Sequence, residues 1–258
     1  MVFVITLLRP LMPLQKGEHG VPSGADKRFN TKGCDDVRRA SHSWECRVSL
    51  ALICIHAKSA AISSESMTLY CDWCRSGKAS DIHIHHHDLE HGIPPTTDNQ
   101  LFSRLCYEVL QAGLSWDIIL KRRDGLHAVW LDFDVETIAG LSDSELAVIT
   151  ADVRNIRHGQ KADAIRHNAQ AFEQLAMAHG SARAWLYGLG ETDPKVWQKL
   201  FKMHFKFTGA TIQDEFLMGT GVRVGAHAEE CPRYAAALAA GAPWAVHAGI
   251  TPIQPPTH

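Results

Sequence analysis

The rhythm of apolar and polar positions changes along the chain. Over residues 1–66, Gly, Pro, Ser and scattered charges alternate with short apolar bursts such as Val48-Ser49-Leu50-Ala51-Leu52-Ile53. No helical or strand period is sustained there. From Met67 the spacing turns helical and stays so to about Trp244. Leu101, Phe102, Leu105, Cys106, Val109 and Leu110 share one helix face behind Thr97-Asp98-Asn99-Gln100, a capping-box pattern. Ser142-Asp143-Ser144-Glu145 is a second such box. Asp193-Pro194 sets a cap before a proline at the first helical position, and Val196, Trp197, Leu200, Phe201 and Phe205 follow on one face. Ala162 to Ala178 is Ala-rich, with Ile165, Ala169, Phe172 and Leu175 on one side. Alternating strand runs are lacking, so the pattern predicts an all-α domain over residues 67–245. Residues 246–258 end in Thr251-Pro-Ile-Gln-Pro-Pro-Thr-His258 and read as a disordered tail. Met67 is expected to be the native start, with 1–66 an upstream or disordered extension; a small N-terminal domain is the alternative.

Charge narrows the partners. Residues 1–66 carry 9 Lys+Arg and 6 Asp+Glu, and residues 67–258 carry 17 and 22, so the helical part has a net charge of 17 − 22 = −5. Any nucleic-acid contact must then use a local basic patch and not a basic domain. The start of the chain lacks a basic n-region and is cut short by Arg9 and Pro10, and no apolar run approaches the ~20 residues of a membrane span. A cytoplasmic protein without a membrane partner is expected. The seven cysteines are odd in number and irregularly spaced, which favours metal ligands and free thiols over a disulfide framework.

Cys71 and Cys74 of C-D-W-C, the run His83, His85, His86, His87 and His91, and His227 with Cys231 are the candidate ligands. Thiolate and imidazole suit tetrahedral zinc, and a closed Cys2His2 shell is its usual structural form. The 140 positions that separate His87 from His227 exclude a zinc finger. A metal here would tie the two ends of the helical part together. A surface His run with ordinary buried cysteines is the competing reading, and C-D-W-C also matches a redox motif, without the βαβ surroundings that motif needs. Glu108 lies about 20° around its helix from Leu101, so it is either half-solvated at a helix seam or aimed into a cavity. Trp116, past the glycine of Gly113-Leu114-Ser115, is a core aromatic or a stacking plate.

Taken together, these blocks resemble the DNA-3-methyladenine glycosylase I family. The matching segments are C-D-W at 71–73, H-H-D-L-E-H-G-I-P at 86–94, L-F-S-R-L-C-Y-E-V-L-Q-A-G-L-S-W at 101–116, I-R-H-G-Q-K at 156–161, F-K-F-T-G at 205–209 and A-H-A-E-E-C-P at 226–232. The resemblance covers residues 70–240 in order and implies a helix-hairpin-helix glycosylase fold with one structural Zn2+ per chain. It puts the zinc ligands on Cys71, His87, His227 and Cys231, with Cys74 a competing choice. It puts the essential carboxylate on Glu108 and the base-binding groups on Trp116, Trp73 and His86. The DNA contacts would be Gly113 and Leu114 in the turn, with His158, Gly159 and Lys161 in a hairpin spanning Asp152 to Lys161. The chain departs from the family at His86 and His83, which stand where tyrosines are expected, and at His91, which replaces a larger aromatic. In the hairpin, Arg154 and Asn155 replace small or apolar residues.

The activity so implied is hydrolysis of the N-glycosidic bond of N3-alkylated adenine, flipped out of double-stranded DNA, by a monomer without lyase activity. The stretch His167 to Trp185 has no Asp to steady a sugar cation, which fits restriction to labile cationic bases. A non-catalytic lesion-binding protein and, more remotely, a zinc hydrolase using the His cluster are the rival readings.

Overall fold

A computed structural model describes residues 70–190 and 193–250, and every described element is helical. The expectations for residues 1–66 and for most of the tail lie outside these residues. After a turn that is helical over 70–75, the elements are α1 (Asp81–Leu89), α2 (Asp98–Gln111), α3 (Trp116–Val129), a 3-10 turn (Leu131–Phe133), α4 (Val135–Ala139), α5 (Asp143–Ala151), α6 (Gly159–His179), α7 (Ala182–Gly188), α8 (Pro194–His204), α9 (Ala210–Gly219), α10 (Pro232–Ala239) and α11 (Pro243–His247). The all-α expectation holds for these residues. No helix among them is long and apolar enough to cross a membrane.

Helix α2 is the axis of the core. Leu101, Phe102, Leu105, Cys106, Val109 and Leu110 are all buried, and Phe102 meets Phe172 of α6 edge-on at 5.2 Å. Full burial of such side chains stabilises the fold by roughly 1.5–3 kcal/mol each. Helices α4, α5 and α7 also pack on α6, and α9 packs on α2. The caps follow the sequence with one adjustment. Ser142 and Glu145 form the reciprocal box. At α2, Thr97 accepts from the Gln100 amide, but the Gln100 side chain accepts from Thr96 N–H and Oγ1–H, both at 2.9 Å, one residue earlier than expected.

The segment after α5 is knotted by side chains. Asn155 is buried, accepts from Trp130 Nε1 at 3.0 Å and donates to the Ile149 carbonyl at 3.0 Å. Arg154 turns back onto Asp152 at 2.7 Å. These polar substitutions therefore brace the turn from within the chain, while Val153 at its tip is 75% exposed. His158 then N-caps α6 without a side-chain cap bond, so the first amides of the helix lack a side-chain acceptor.

Candidate base pocket and metal centre

Helix α2 ends in a turn that only its glycine makes easy. Gly113 has φ +78°, a left-handed value costly for a side chain. Gln111 closes the turn at both ends: its carbonyl accepts from Leu114 N–H at 2.6 Å and its amide donates to the Leu114 carbonyl at 2.9 Å. Lys161 holds it from below. Its ammonium donates to the carbonyls of Leu110 (2.8 Å) and Ala112 (2.7 Å), which are among the orphan acceptors of a helix end. Lys161 is buried, and both bonds point inward. The ammonium is thus engaged in bracing the turn. Gly113 and Ser115 are exposed and Leu114 partly so, and His158 and Gly159 are exposed at the start of α6.

The turn delivers Trp116, first residue of α3, beside Glu108 on α2. Both line one partly open cavity with His86, His91, Arg104, Phe216, Gly219 and Thr220, holding about 260 Å³ of empty space including its mouth. The cavity reading of Glu108 is the one realised. Trp73 is not among the lining residues; it is 37% exposed and packs edge-on against His83 at 4.8 Å. His86 lies 5.1 Å from the Trp116 ring.

Burial first, then the charge of Glu215, pushes the Glu108 carboxyl up to about 8, with the Arg104 guanidinium opposing. Glu90 goes the other way. Burial disfavours its charge, but hydrogen bonds from His86 and Arg123 and the guanidinium charges outweigh that and hold it well below the usual carboxylate range. Its carboxylate receives both Arg123 Nη groups, one of them at 2.7 Å, and His86 Nδ1 at 3.2 Å. Burial keeps His86 neutral, at about 4. As the neutral tautomer it donates Nδ1–H to Glu90, leaving Nε2 as an acceptor. Sequence reasoning missed Arg104, Glu90 and Arg123. The legible signal was Arg104 four residues before Glu108, a second charge on the edge of the same apolar stripe.

Behind this wall four buried donors converge. Ligand atoms of Cys71, His87, His227 and Cys231 all lie within 4.8 Å of one another. The Cys71 Sγ to His227 Nδ1, Cys231 Sγ to His87 Nε2 and Cys231 Sγ to His227 Nδ1 distances are 3.7, 3.7 and 3.8 Å. Tetrahedral zinc with S at ~2.3 Å and N at ~2.0 Å separates such donors by about 3.6 Å. The other ring nitrogens already have acceptors: His87 Nδ1 on Asp88 at 2.8 Å, itself held by Arg233, and His227 Nε2 on the His91 carbonyl at 2.8 Å. That fixes both tautomers with a lone pair toward the cluster, the usual outer arrangement of a metal-binding histidine. Cys74 lies outside, its Sγ 4.0 Å from the His83 carbonyl.

With this geometry in view, the family model described as Methyladenine glycosylase matches residues 73–198. The chain is 30% identical over 183 residues to DNA-3-methyladenine glycosylase 1 of Escherichia coli (strain K12), covering 64% of this chain and 96% of that protein. Among solved structures it is similar to 3-methyladenine DNA glycosylase I, with TM-score 0.53, 28% identity and coverage of 59% of this chain and 94% of that one. It is also similar to a variant of such an enzyme in complex with 3-methyladenine, with TM-score 0.55, 26% identity and coverage of 62% and 95%.

Proposed function

The chain belongs to the DNA-3-methyladenine glycosylase I family, and on that premise we propose that it excises N3-alkylated adenine from alkylated double-stranded DNA, acting as a monomer. The observation that carries this reading is the joint placement of Glu108 and Trp116 on one cavity at the end of a Gly-hinged turn. A base inside a stacked duplex is out of reach, so the nucleotide must rotate into the pocket. Trp116 then stacks on its face, and Glu108 accepts hydrogen bonds from its edge and offsets its positive charge. Leu114, in the turn held by Lys161, fills the vacated stack. N3 alkylation makes the base cationic, so it leaves neutral and needs modest assistance.

The backbone N–H groups at Gly159, preceded by His158, take DNA phosphates in a helix-hairpin-helix manner. His86 presents its Nε2 acceptor to the base, and Trp73 packs against His83. Cys71, His87, His227 and Cys231 would hold one zinc ion. When bound, the ion supplies a closed structural tie between the segments around 71–87 and 227–231. Four protein donors leave no open position for a metal-bound nucleophile, which speaks against a zinc hydrolase.

The test incubates the full chain with methylated duplex DNA and separates the released bases by chromatography, beside Glu108→Gln. Free 3-methyladenine from the first and far less from the second is the expected result. Binding of the alkylated duplex with no base released by either would replace this reading with that of a lesion-binding protein.

A further inference from the structure

Arg104 is a cation on the pocket wall with hydrogen-bond donors to spare. It lies four residues before Glu108 on α2, so the two side chains share a face one helical turn apart, and both line the cavity. Its side chain is 21% exposed, and its one ion contact is Nη1 to Glu90 at 3.2 Å. Glu90 itself is largely satisfied by Arg123 and His86. A guanidinium has five N–H donors, and among the described residues those of Arg104 have no further partner. The helix runs from Arg104 past Glu108 toward the Gly113 turn. A flat base lying across the cavity would meet both side chains.

We propose that Arg104 is a second base-contacting group, donating to a ring nitrogen beside the exocyclic amine that Glu108 accepts from. The proposal rests on the reading of this pocket as an adenine site. Adenine presents an amine donor next to a ring-nitrogen acceptor, whereas guanine carries an oxygen acceptor where that amine would be. A donor and an acceptor one turn apart therefore read adenine and leave a guanine oxygen against the Glu108 carboxylate.

The charge of Arg104 acts on the reaction as well as on recognition. Breaking the bond between the sugar C1′ and the base sends its electron pair onto the base, which becomes neutral. C1′ takes the oxygen of water, and the proton of that water goes to solvent. The guanidinium disfavours the bound cation, and that repulsion vanishes as positive charge moves to the sugar. Its hydrogen bond to the ring strengthens at the same time. An interaction stronger in the transition state than in the ground state accelerates the step.

The experiment compares the full-length chain with Arg104→Met, Arg104→Gln and Arg104→Lys. One arm follows single-turnover release of 3-methyladenine from methylated duplex; the other follows binding of free 3-methyladenine and free 7-methylguanine by tryptophan fluorescence. The expected result is release at least tenfold slower in Arg104→Met, partly restored in Arg104→Lys, with affinity for an abasic-site duplex unchanged. The binding preference for 3-methyladenine should fall in the Met variant and be partly kept in the Gln variant, which retains donors without charge. Release as fast as, or faster than, the unaltered chain in Arg104→Met, with unchanged base preference, would overturn the proposal and leave Arg104 a partner of Glu90 only. A chain that releases nothing but loses free-base binding in Arg104→Met would retain the contact while the excision reading fails. Free-base binding equal in all variants, or absent from the unaltered chain, would end both the contact and its role.

Discussion

Glu108 carries opposite pH dependences for stability and activity. Its carboxyl is raised from the ordinary 4.5 to about 8 by burial and by Glu215, so the folded protein holds this proton more tightly than the unfolded chain does. The stability it contributes is fully present below about 4.5 and is lost as pH rises through about 8. Accepting hydrogen bonds from a cationic base requires the ionised form. Base release per unit free enzyme should therefore increase across pH 7 to 9 and level off above the Glu108 value, a limb that Glu108→Gln removes along with most activity. A profile flat over that range in kcat/KM would show that Glu108 is already ionised, or that its charge is not used. Binding of the cation itself expels the proton, so the kcat limb should lie lower than the kcat/KM limb.

At the scale of elements, the junction of α2 and α6 determines whether the turn between α2 and α3 is held in place. The Lys161 ammonium joins two carbonyls at the end of α2 to the first turn of α6. Arg and Lys in the last turn of a helix are common, but here the cation comes from another element and is buried. Lys161→Met should cost about 2–3 kcal/mol, because two buried acceptors lose a charged donor, and it should slow base release beyond that by loosening Gly113 and Leu114. Thermal melting and single-turnover kinetics of the same variant separate the two effects. Gly113→Ala is the complementary change. No atom lies within 4 Å of an added Cβ there, so only the left-handed φ opposes it, at about 1 kcal/mol. These elements also show what sequence could reveal. The α2 stripe, both cap sites and the Asp193-Pro194 start were legible because helical period and capping are local. The direction of Lys161 was not: a lysine beside a hairpin glycine suggests phosphate, and only the packing of α6 under the end of α2 turns it inward. The Glu90–Arg123 pair, 33 residues apart, was hidden for the same reason, since nothing local joins α1 to α3.

For the molecule as a whole, the chain ends its helical part by bringing two distant segments together, and the Cys71, His87, His227 and Cys231 cluster is where they meet. Four thiol and imidazole donors buried together without an ion would leave two thiols among polar rings, with burial raising the Cys71 thiol to about 11. Metal binding deprotonates such thiols and converts that cost into folding free energy. His86 and His91, which line the base pocket, flank His87, and the His91 carbonyl receives His227. The pocket wall is thus carried by the segment the metal would fix. Elemental analysis should find one zinc per chain in the full-length protein and in Cys74→Ser, and less than that in Cys71→Ser. A chelator should lower the melting temperature and speed amide exchange around residues 83–91 and 226–231, while Phe102 of α2 and Phe172 of α6 stay protected in the apolar core. Base release should decline in step with that loosening and return when zinc is restored. Exchange unchanged on chelation would show that the four side chains hold the two segments without an ion. Instant loss of activity with no change in exchange would instead give the metal a part in the chemistry.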